Sequence, residues 1–133
     1  MASADVQTLR DAYEGFNRGD IPAVLEAMAS DVEWNEPGGG RAPGGTFRGS
    51  QSVAEDIFAT IPENFDEFSA RPDRFFEAFG DCVIVVGEFR AKPKAGGEMT
   101  AAFAHVWQMR NRKAARFHNY VDAAAWGPGW GGS

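Results

Sequence analysis

The stretch FAHVWQMRNRKAARFHNYVDA, residues 103–123, gives the clearest indication of the fold. From Phe103 to Met109 every second side chain is large or aromatic, which is the period of a β-strand with one buried face. A polar turn follows at residues 110–113, and a second strand-like segment runs from residue 115 to about residue 123. The stretch therefore predicts two antiparallel strands joined by a short turn.

Further strand-like segments precede this hairpin. They are separated by turn signals at Gly80-Asp81 and in KPKAGG, residues 92–97. Short connections of this kind join strands that are neighbours in space, so the segments form an antiparallel meander. The four predicted strands cover residues 74–79, 83–90, 99–109 and 115 to about 123.

The N-terminal half has helical periodicity instead, with apolar residues at spacings of three and four. Capping and breaking residues mark where its segments begin and end. The expected elements are a helix over residues 3–18, a second from Asp20 to near Ser30, a strand over residues 32–36, a glycine-rich loop from Pro37 to Gly45, and a third helix from the Ser52-x-x-Glu55 capping box to Pro62.

This order of helices first and strands later indicates an α+β domain. We expect a cone-shaped, curved antiparallel sheet with three N-terminal helices on its concave face, enclosing an apolar pocket. A length of 133 residues allows one domain, placed at residues 1–126, and leaves a Gly- and Trp-rich tail at residues 127–133. The tail is expected to be loose unless Trp126 and Trp130 hold it against the body or a partner.

Composition and charge exclude several classes of function. A net charge of −6 argues against a nucleic-acid partner, which usually meets a basic face. One cysteine and two histidines cannot supply a closed zinc site, and no metal is expected. The sequence lacks a run of about 18 apolar residues and a cationic, apolar start, so we expect no membrane partner and a cytoplasmic location.

Two ionisable residues fall on apolar strand faces. Glu36 continues the face of Val32 and Trp34, and His105 lies within the aromatic face of the later strand. Burial raises the pKa of a carboxyl and lowers that of an imidazole, which suits both groups to proton transfer. Two plainer interpretations remain open: Glu36 is solvated or paired with Arg41, and His105 is a hydrogen-bonded core histidine.

The partner of His105 depends on the register of the last hairpin, because a shift of one residue reverses every side chain. The turn Arg-Asn-Arg-Lys lacks a glycine that would fix its type, so both registers are open. An odd loop places His105 on the face of Phe117, Asn119 and Val121. An even loop places it on the face of His118, Tyr120 and Asp122.

Six segments together resemble the SnoaL-like and ketosteroid-isomerase-like branch of the nuclear-transport-factor-two-like superfamily, and the resemblance covers nearly the whole chain. Their order and spacing carry it more than any one of them. The segments are YEGFNRGD (Tyr13 to Asp20), DVEWNEPGG, FRGSQSV, GDCVIVVGEF, FAHVW and RFHNYVD.

The resemblance implies roles for three residues. Glu36, before Pro37-Gly38, matches the carboxylate base of steroid isomerases, and His105 matches their oxyanion-hole Asp. The isomerases' Tyr falls on Ala12, while Tyr13 lies about 100° further round the helix and is expected in the core. In SnoaL-type cyclases a His and an Asp form the working pair; His105 matches the first, and Asn119 stands where the Asp belongs.

We therefore expect a pocket for a small hydrophobic carbonyl compound, with Glu36 abstracting a proton and His105, helped by Asn119, stabilising the enolate. Isomerase, cyclase or dehydratase chemistry of this kind needs no cofactor. The alternative is a non-catalytic binding or dimerisation module of the same fold. A homodimer through the sheet is expected in either case. The expected pocket lining is Trp34, Ile57, Phe58, Phe103, Trp107, Met109 and Phe117.

Overall fold

The computed structural model describes residues 3–132 and confirms the α+β class, with a six-stranded curved sheet and helices packed against it. The helices are α1 Ala4–Asn17, α2 Ile21–Glu26, α3 Ser50–Asp56, α4 Ile61–Asn64 and α5 Ala123–Trp130, with a 3-10 turn at Phe58–Thr60. The strands are β1 Met28–Pro37, β2 Gly44–Arg48, β3 Phe65–Ala78, β4 Cys82–Pro93, β5 Met99–Arg110 and β6 Lys113–Val121.

The strand order is β2-β1-β6-β5-β4-β3, and β1 pairs with β6 in parallel whereas the other neighbours are antiparallel. The expected meander is present, and the parallel pair is the one departure from an antiparallel sheet. Trp34 lies opposite Phe117 and Asn35 opposite His118. This register carries the end of β1 to the position beside Asn119 on β6.

Helix α1 is capped at its N-terminus and hydrogen-bonded to the sheet at its C-terminus. The Ser3 side chain caps it by accepting a hydrogen bond from the Val6 amide. At the other end, Asn17 donates to the carbonyl of Ala70 at 2.8 Å and accepts from its amide at 2.9 Å. These hydrogen bonds hold the buried face of α1, which includes Tyr13, against the sheet.

The region between β1 and β3 differs from the expected loop and single helix. Residues 44–48 form strand β2, paired with β1, so the glycine-rich connection is a hairpin loop. Helix α3 begins after Gly49, and Ser52 donates to Asp56 instead of capping, so the predicted capping box is wrong. Pro62 lies in the first turn of α4, where its missing amide hydrogen is tolerated, and does not end the helix.

The C-terminal segment is also more ordered than a loose tail. Residues 123–130 form α5, capped by Asp122, and both Trp126 and Trp130 are 4% exposed, so the boundary placed at residue 126 does not separate a body from a tail. Burial of two indoles outweighs the weak helix propensity of the intervening Gly-Pro-Gly. The Arg41 amide donates to the Gly131 carbonyl at 2.8 Å, which joins the end of α5 to the glycine-rich loop.

No helix among residues 3–132 is long and apolar enough to span a membrane.

Candidate functional site

A cavity of about 70 Å³ lies between the inner face of the sheet and the helices. It brings Glu36, His105 and Asn119 together from three neighbouring strands, β1, β5 and β6. Five residues of the expected apolar lining surround it: Trp34, Ile57, Phe58, Trp107 and Phe117. The lining also includes all four tryptophans of the chain, Trp34, Trp107, Trp126 and Trp130.

Phe103 and Met109 were expected in this lining and are not part of it. Both are buried, at 5% and 3% exposure, so the predicted strand face is correct. The Phe103 ring stacks on the His105 ring at 3.7 Å between centroids, and it supports the imidazole without reaching the cavity. Met109 lies opposite Ala114 beside the turn, beyond the end of the cavity.

A β-bulge determines which β6 residues face the cavity. The turn is an even, two-residue loop, Asn111-Arg112, with φ values of 52° and 62°. An even loop alone would place His105 opposite His118. The register shifts between Gln108 and Met109, however, with Ala115 as the extra residue on β6, so His105 lies opposite Asn119. The odd register is confirmed, although the bulge produces it and not the loop length.

The Glu36 carboxylate is held by two donors at the end of β1. The Trp34 indole N–H donates to Oε2 at 2.6 Å, and the Asn119 amide donates to Oε1 at 2.9 Å. These contacts replace the alternative of a pair with Arg41. Burial raises the pKa of Glu36 to about 7, even though both hydrogen bonds act to lower it. The carboxyl is therefore half protonated near neutral pH and can both release and take up a proton.

His105 is the end of a buried hydrogen-bond chain. The Trp107 indole N–H donates to the Tyr13 hydroxyl oxygen at 3.0 Å, and the Tyr13 oxygen lies 2.6 Å from His105 Nδ1. The buried Tyr13 O–H needs an acceptor, and His105 Nδ1 lies beside it, so the hydroxyl donates to Nδ1 and the imidazole carries its proton on Nε2. Burial lowers the pKa of His105 to about 3, so the ring is neutral.

The chain leaves a donor and an acceptor available in the cavity. Among the described residues, His105 Nε2 and Asn119 Oδ1 are buried without a partner at full hydrogen-bond geometry, although Asn119 lies near enough to oppose the lowering of the His105 pKa by burial. The Nε2–H group is a neutral donor in apolar surroundings, which is the character required to bind a carbonyl oxygen and hold the charge that develops on it. The site therefore combines a carboxyl of pKa about 7 with a fixed donor.

Tyr13 is buried in the core, as expected, but the sequence interpretation missed its contact with His105 and its place in the cavity lining. It lies in the buried stripe of α1, where a core tyrosine and one that orients a histidine have the same spacing. Burial raises its pKa, so the hydroxyl stays protonated and continues to donate to His105. The remaining missed lining residues include Phe16, Phe68, Phe89 and the two α5 tryptophans. Their separation in sequence gave no signal that they meet.

Two observations concern metal sites and surface charges. In the part of the chain from residue 3 to residue 132, no group of three or more His, Cys, Asp or Glu side chains is placed to hold a metal ion. Glu88 and Arg90 form an ion pair of 2.8 Å on the surface. Neither residue lines the cavity, so the acid–base groups of the site are those described above.

Comparisons with known proteins agree with this fold. The family model described as a SnoaL-like domain matches residues 9–117. An NTF2-like protein of unknown function from Burkholderia pseudomallei is 34% identical, with 92% of this chain and 94% of that chain covered and a TM-score of 0.81. TerC, co-crystallised with polyporic acid, is 29% identical over 96% and 98% of the two chains, with a TM-score of 0.83.

An NTF2-like protein from Burkholderia thailandensis is 26% identical over 97% of this chain and 98% of that chain, with a TM-score of 0.84. A search of curated protein sequences found no match.

Proposed function

Since the chain belongs to the SnoaL-like domain family, we propose that its cavity binds a small hydrophobic carbonyl compound and catalyses a cofactor-free proton transfer on it. The reaction would be of the isomerase, cyclase or dehydratase type. One observation carries the proposal: a carboxyl with a pKa of about 7 and an unpartnered imidazole N–H line the same apolar cavity.

The proposed steps use only groups of this chain. The ligand carbonyl accepts a hydrogen bond from His105 Nε2–H, and the Glu36 carboxylate removes a proton from the adjacent carbon. The electron pair of the broken C–H bond forms a C=C bond, and the π pair of the carbonyl moves to its oxygen, where the same N–H stabilises the enolate. Glu36 then returns the proton to another carbon, or the enolate attacks a second carbonyl or expels a leaving group.

Asn119 and Tyr13 act as positioning residues in this scheme. Asn119 fixes one carboxylate oxygen of Glu36, and the Tyr13 hydroxyl keeps the His105 proton on Nε2. A neutral imidazole suits the role, because its donor strength does not depend on taking up a proton in this apolar site. TerC, 29% identical, was co-crystallised with polyporic acid, which supports a cavity of this fold that receives an organic compound.

Ligand entry requires the cavity to enlarge. Its volume of about 70 Å³ is well below the roughly 300–1,000 Å³ of sites that hold drug-sized compounds. We propose that the glycine-rich loop, residues 38–43, moves outward together with α5. The two are joined by the Arg41–Gly131 hydrogen bond, and Pro43, Trp126 and Trp130 line the cavity. If the loop occupied the same position in the free and the ligand-bound protein, the proposal would be wrong.

The test is exchange of acidic hydrogens in a simple ketone. In D₂O, the acetyl hydrogens of 4-isopropylacetophenone should exchange for deuterium in the presence of the protein. Proton NMR follows this as loss of the acetyl methyl signal, with the isopropyl signal as the internal reference. Glu36→Gln should slow this exchange at least about 100-fold, because a general base contributes about 10²–10⁴. Glu33→Gln is the matched control, since Glu33 lies on the same strand and pairs with surface arginines.

Equal exchange by the wild type and Glu36→Gln would remove Glu36 from the role of base. The second candidate function, a non-catalytic binding module, is favoured by Asn119, whose amide cannot accept a proton as an aspartate would. Binding of the ketone with no exchange above the uncatalysed rate would select this candidate. Binding is measurable by intrinsic fluorescence, because all four tryptophans line the cavity.

We also propose a homodimer through the outer face of the sheet. Tyr120 is 53% exposed there and stacks on His118 at 4.1 Å, next to the partly buried Val106 and Ala104. An apolar sheet face of this kind is covered by a partner more often than left in water. Val106→Glu should convert a dimer to a monomer in light scattering, and a wild-type monomer would exclude the proposal.

A further inference from the structure

The cavity contains two polar groups that the proposed reaction does not use. Within residues 3–132, four buried side-chain polar atoms lack a hydrogen-bond partner, and all four belong to residues that line this cavity. They are His105 Nε2, Asn119 Oδ1, Trp126 Nε1 and Trp130 Nε1. The first two belong to the acid–base site, whereas the two indole N–H groups come from α5.

Buried N–H groups without acceptors are rare in folded proteins. An indole has one donor and no acceptor, so its hydrogen must find an oxygen or nitrogen elsewhere. The neighbours of both indoles are aromatic hydrocarbons: Trp130 packs on Phe65 at 4.9 Å, and Trp126 on Phe89 at 4.7 Å between ring centroids. These rings offer no oxygen or nitrogen, and both tryptophans line the cavity, which leaves a molecule bound there as a possible source of the acceptor.

The α5 sequence brings the two indoles to this position. Trp126 and Trp130 are four residues apart and therefore share one helix face. Gly129 lies against the Met99 side chain, and a Cβ there would collide with it, so glycine allows α5 to approach β5 closely. A Cβ on Gly40 would collide with the carbonyl oxygens of Gly127 and Gly131, so glycine there lets the loop lie against α5. The glycines that looked like a loose tail thus place the indoles against the cavity.

We propose that the α5 indoles form a second polar subsite, and that the ligand carries a second acceptor oxygen bound by the N–H groups of Trp126 and Trp130. The ligand class is then an apolar compound with two separated oxygen acceptors, such as a diketone. This inference rests on the proposed function, because His105 binds the first oxygen. The Phe89 ring connects the two polar sites, with its centroid 5.3 Å from that of His105 and 4.7 Å from that of Trp126.

Two probes of nearly equal shape test the subsite. In 1,4-diacetylbenzene both ends carry a carbonyl, whereas in 4-isopropylacetophenone one carbonyl oxygen is replaced by a methyl group. The wild type should bind the diketone about tenfold more tightly in a ligand-observed NMR titration, as expected for one hydrogen bond to a buried donor. Trp126→Phe and Trp130→Phe should each reduce this preference, and the double variant should reduce it to the small statistical advantage of a symmetric diketone.

The preference within each variant is the readout, so a change in cavity volume or stability that affects both ketones alike does not alter it. Phe76→Leu is the control: it shortens an exposed aromatic side chain outside the cavity lining, removes no N–H group, and should keep the preference for the diketone. The small statistical advantage of a symmetric diketone is the same in every variant.

The outcomes separate the two proposals. Equal affinity of the wild type for the two ketones overturns the subsite and leaves the proposed function intact, as does a preference that survives in the double variant. If neither ketone binds, the proposed function fails, and the subsite fails with it. If only the tryptophan variants lose the preference for the diketone, and they still bind 4-isopropylacetophenone and exchange its hydrogens, the subsite and the proposed function are both supported.

Discussion

Strand β1 carries two glutamates, three residues apart, whose surroundings differ on the two sides of the sheet. Glu33 is hydrogen-bonded by Asn35 and paired with Arg116 and Arg48 at 3.1 and 3.0 Å, and these contacts lower its pKa. Glu36 faces the cavity, where burial raises its pKa to about 7. The same side chain is thus a permanent charge on the outer face and a proton donor and acceptor on the inner face.

The two tyrosines of the chain show the same contrast. Tyr13 is buried between Trp107 and His105, whereas Tyr120 is 53% exposed on the outer face. Groups on the inner face depend on one another for hydrogen bonds, since water is excluded there. Groups on the outer face of a single chain can instead form hydrogen bonds to water. The same substitution made on each face therefore shows whether the groups on the inner face stabilise one another through their hydrogen bonds.

The largest effect is expected for the tyrosine pair. Tyr13→Phe removes the hydroxyl and leaves Trp107 Nε1 and His105 Nδ1 buried without partners. At about 1–3 kcal/mol for each of the two unsatisfied groups, the free energy of unfolding should fall by about 2–6 kcal/mol. Tyr120→Phe should change it by less than about 0.5 kcal/mol. Urea denaturation of the two variants measures both.

A Tyr13→Phe variant as stable as the wild type would show that the chain from Trp107 to His105 is not a connected unit. The exchange rate of the ketone adds a second readout. Loss of the Tyr13 donor frees the His105 proton to move to Nδ1, which would remove the Nε2–H donor from part of the molecules. Exchange should therefore slow in Tyr13→Phe and stay unchanged in Tyr120→Phe.

Much of the inner face could be predicted from local pattern. Alternation along β1 and β5 is enough to place Glu36 and His105 on apolar faces, because each strand fixes its own side-chain directions. The position of Asn119 was open, because it depends on a bulge at Ala115 that no residue type marks. The two-residue turn at Asn111 and Arg112, both in the left-handed region, would by itself place His105 opposite His118. The bulge shifts the register by one residue and brings Asn119 opposite His105.

The parts of the site that come from distant segments could not be predicted. Tyr13 and a core residue have the same helical spacing, so the hydroxyl contact with His105 appears only once α1 is placed over β5. The composition of α5, with Gly127, Pro128 and Gly129 between its tryptophans, is typical of a loop by propensity. Burial of the indoles against β3 and β4 residues reverses that preference, which is a tertiary effect.

The stability of the protein should depend on pH in opposite ways through Glu36 and Glu33. The folded protein keeps the Glu36 proton up to about pH 7, whereas an ordinary glutamate releases it near 4.5. The stability that Glu36 contributes is therefore complete below pH 4.5 and decreases as the pH rises to 7, by at most about 1.4 kcal/mol per pH unit. Relative to Glu36→Gln, the wild type should lose stability over this range.

Glu33 should behave in the opposite way. Its lowered pKa contributes stability that is present above 4.5 and is lost as the pH falls. Relative to Glu33→Gln, the wild type should therefore lose stability on acidification, by a small amount because the pair is on the surface. His105, with a pKa lowered to about 3, also destabilises the fold as the pH falls below 6.5, but it is common to all three proteins and cancels. If the stability difference between wild type and variant changed with pH in the same direction for both glutamates, their surroundings would not differ as described.

The smallest predicted effect concerns the rate of ketone exchange as a function of pH. Only the ionised form of Glu36 can remove a proton, so the rate should rise about tenfold between pH 6 and 8, following a pKa of about 7. His105 stays neutral over this range and adds no second step. The Glu33→Gln variant should give the same midpoint. A rate already constant from pH 6 would mean that Glu36 ionises as an ordinary surface carboxyl, and that the inner face does not perturb it.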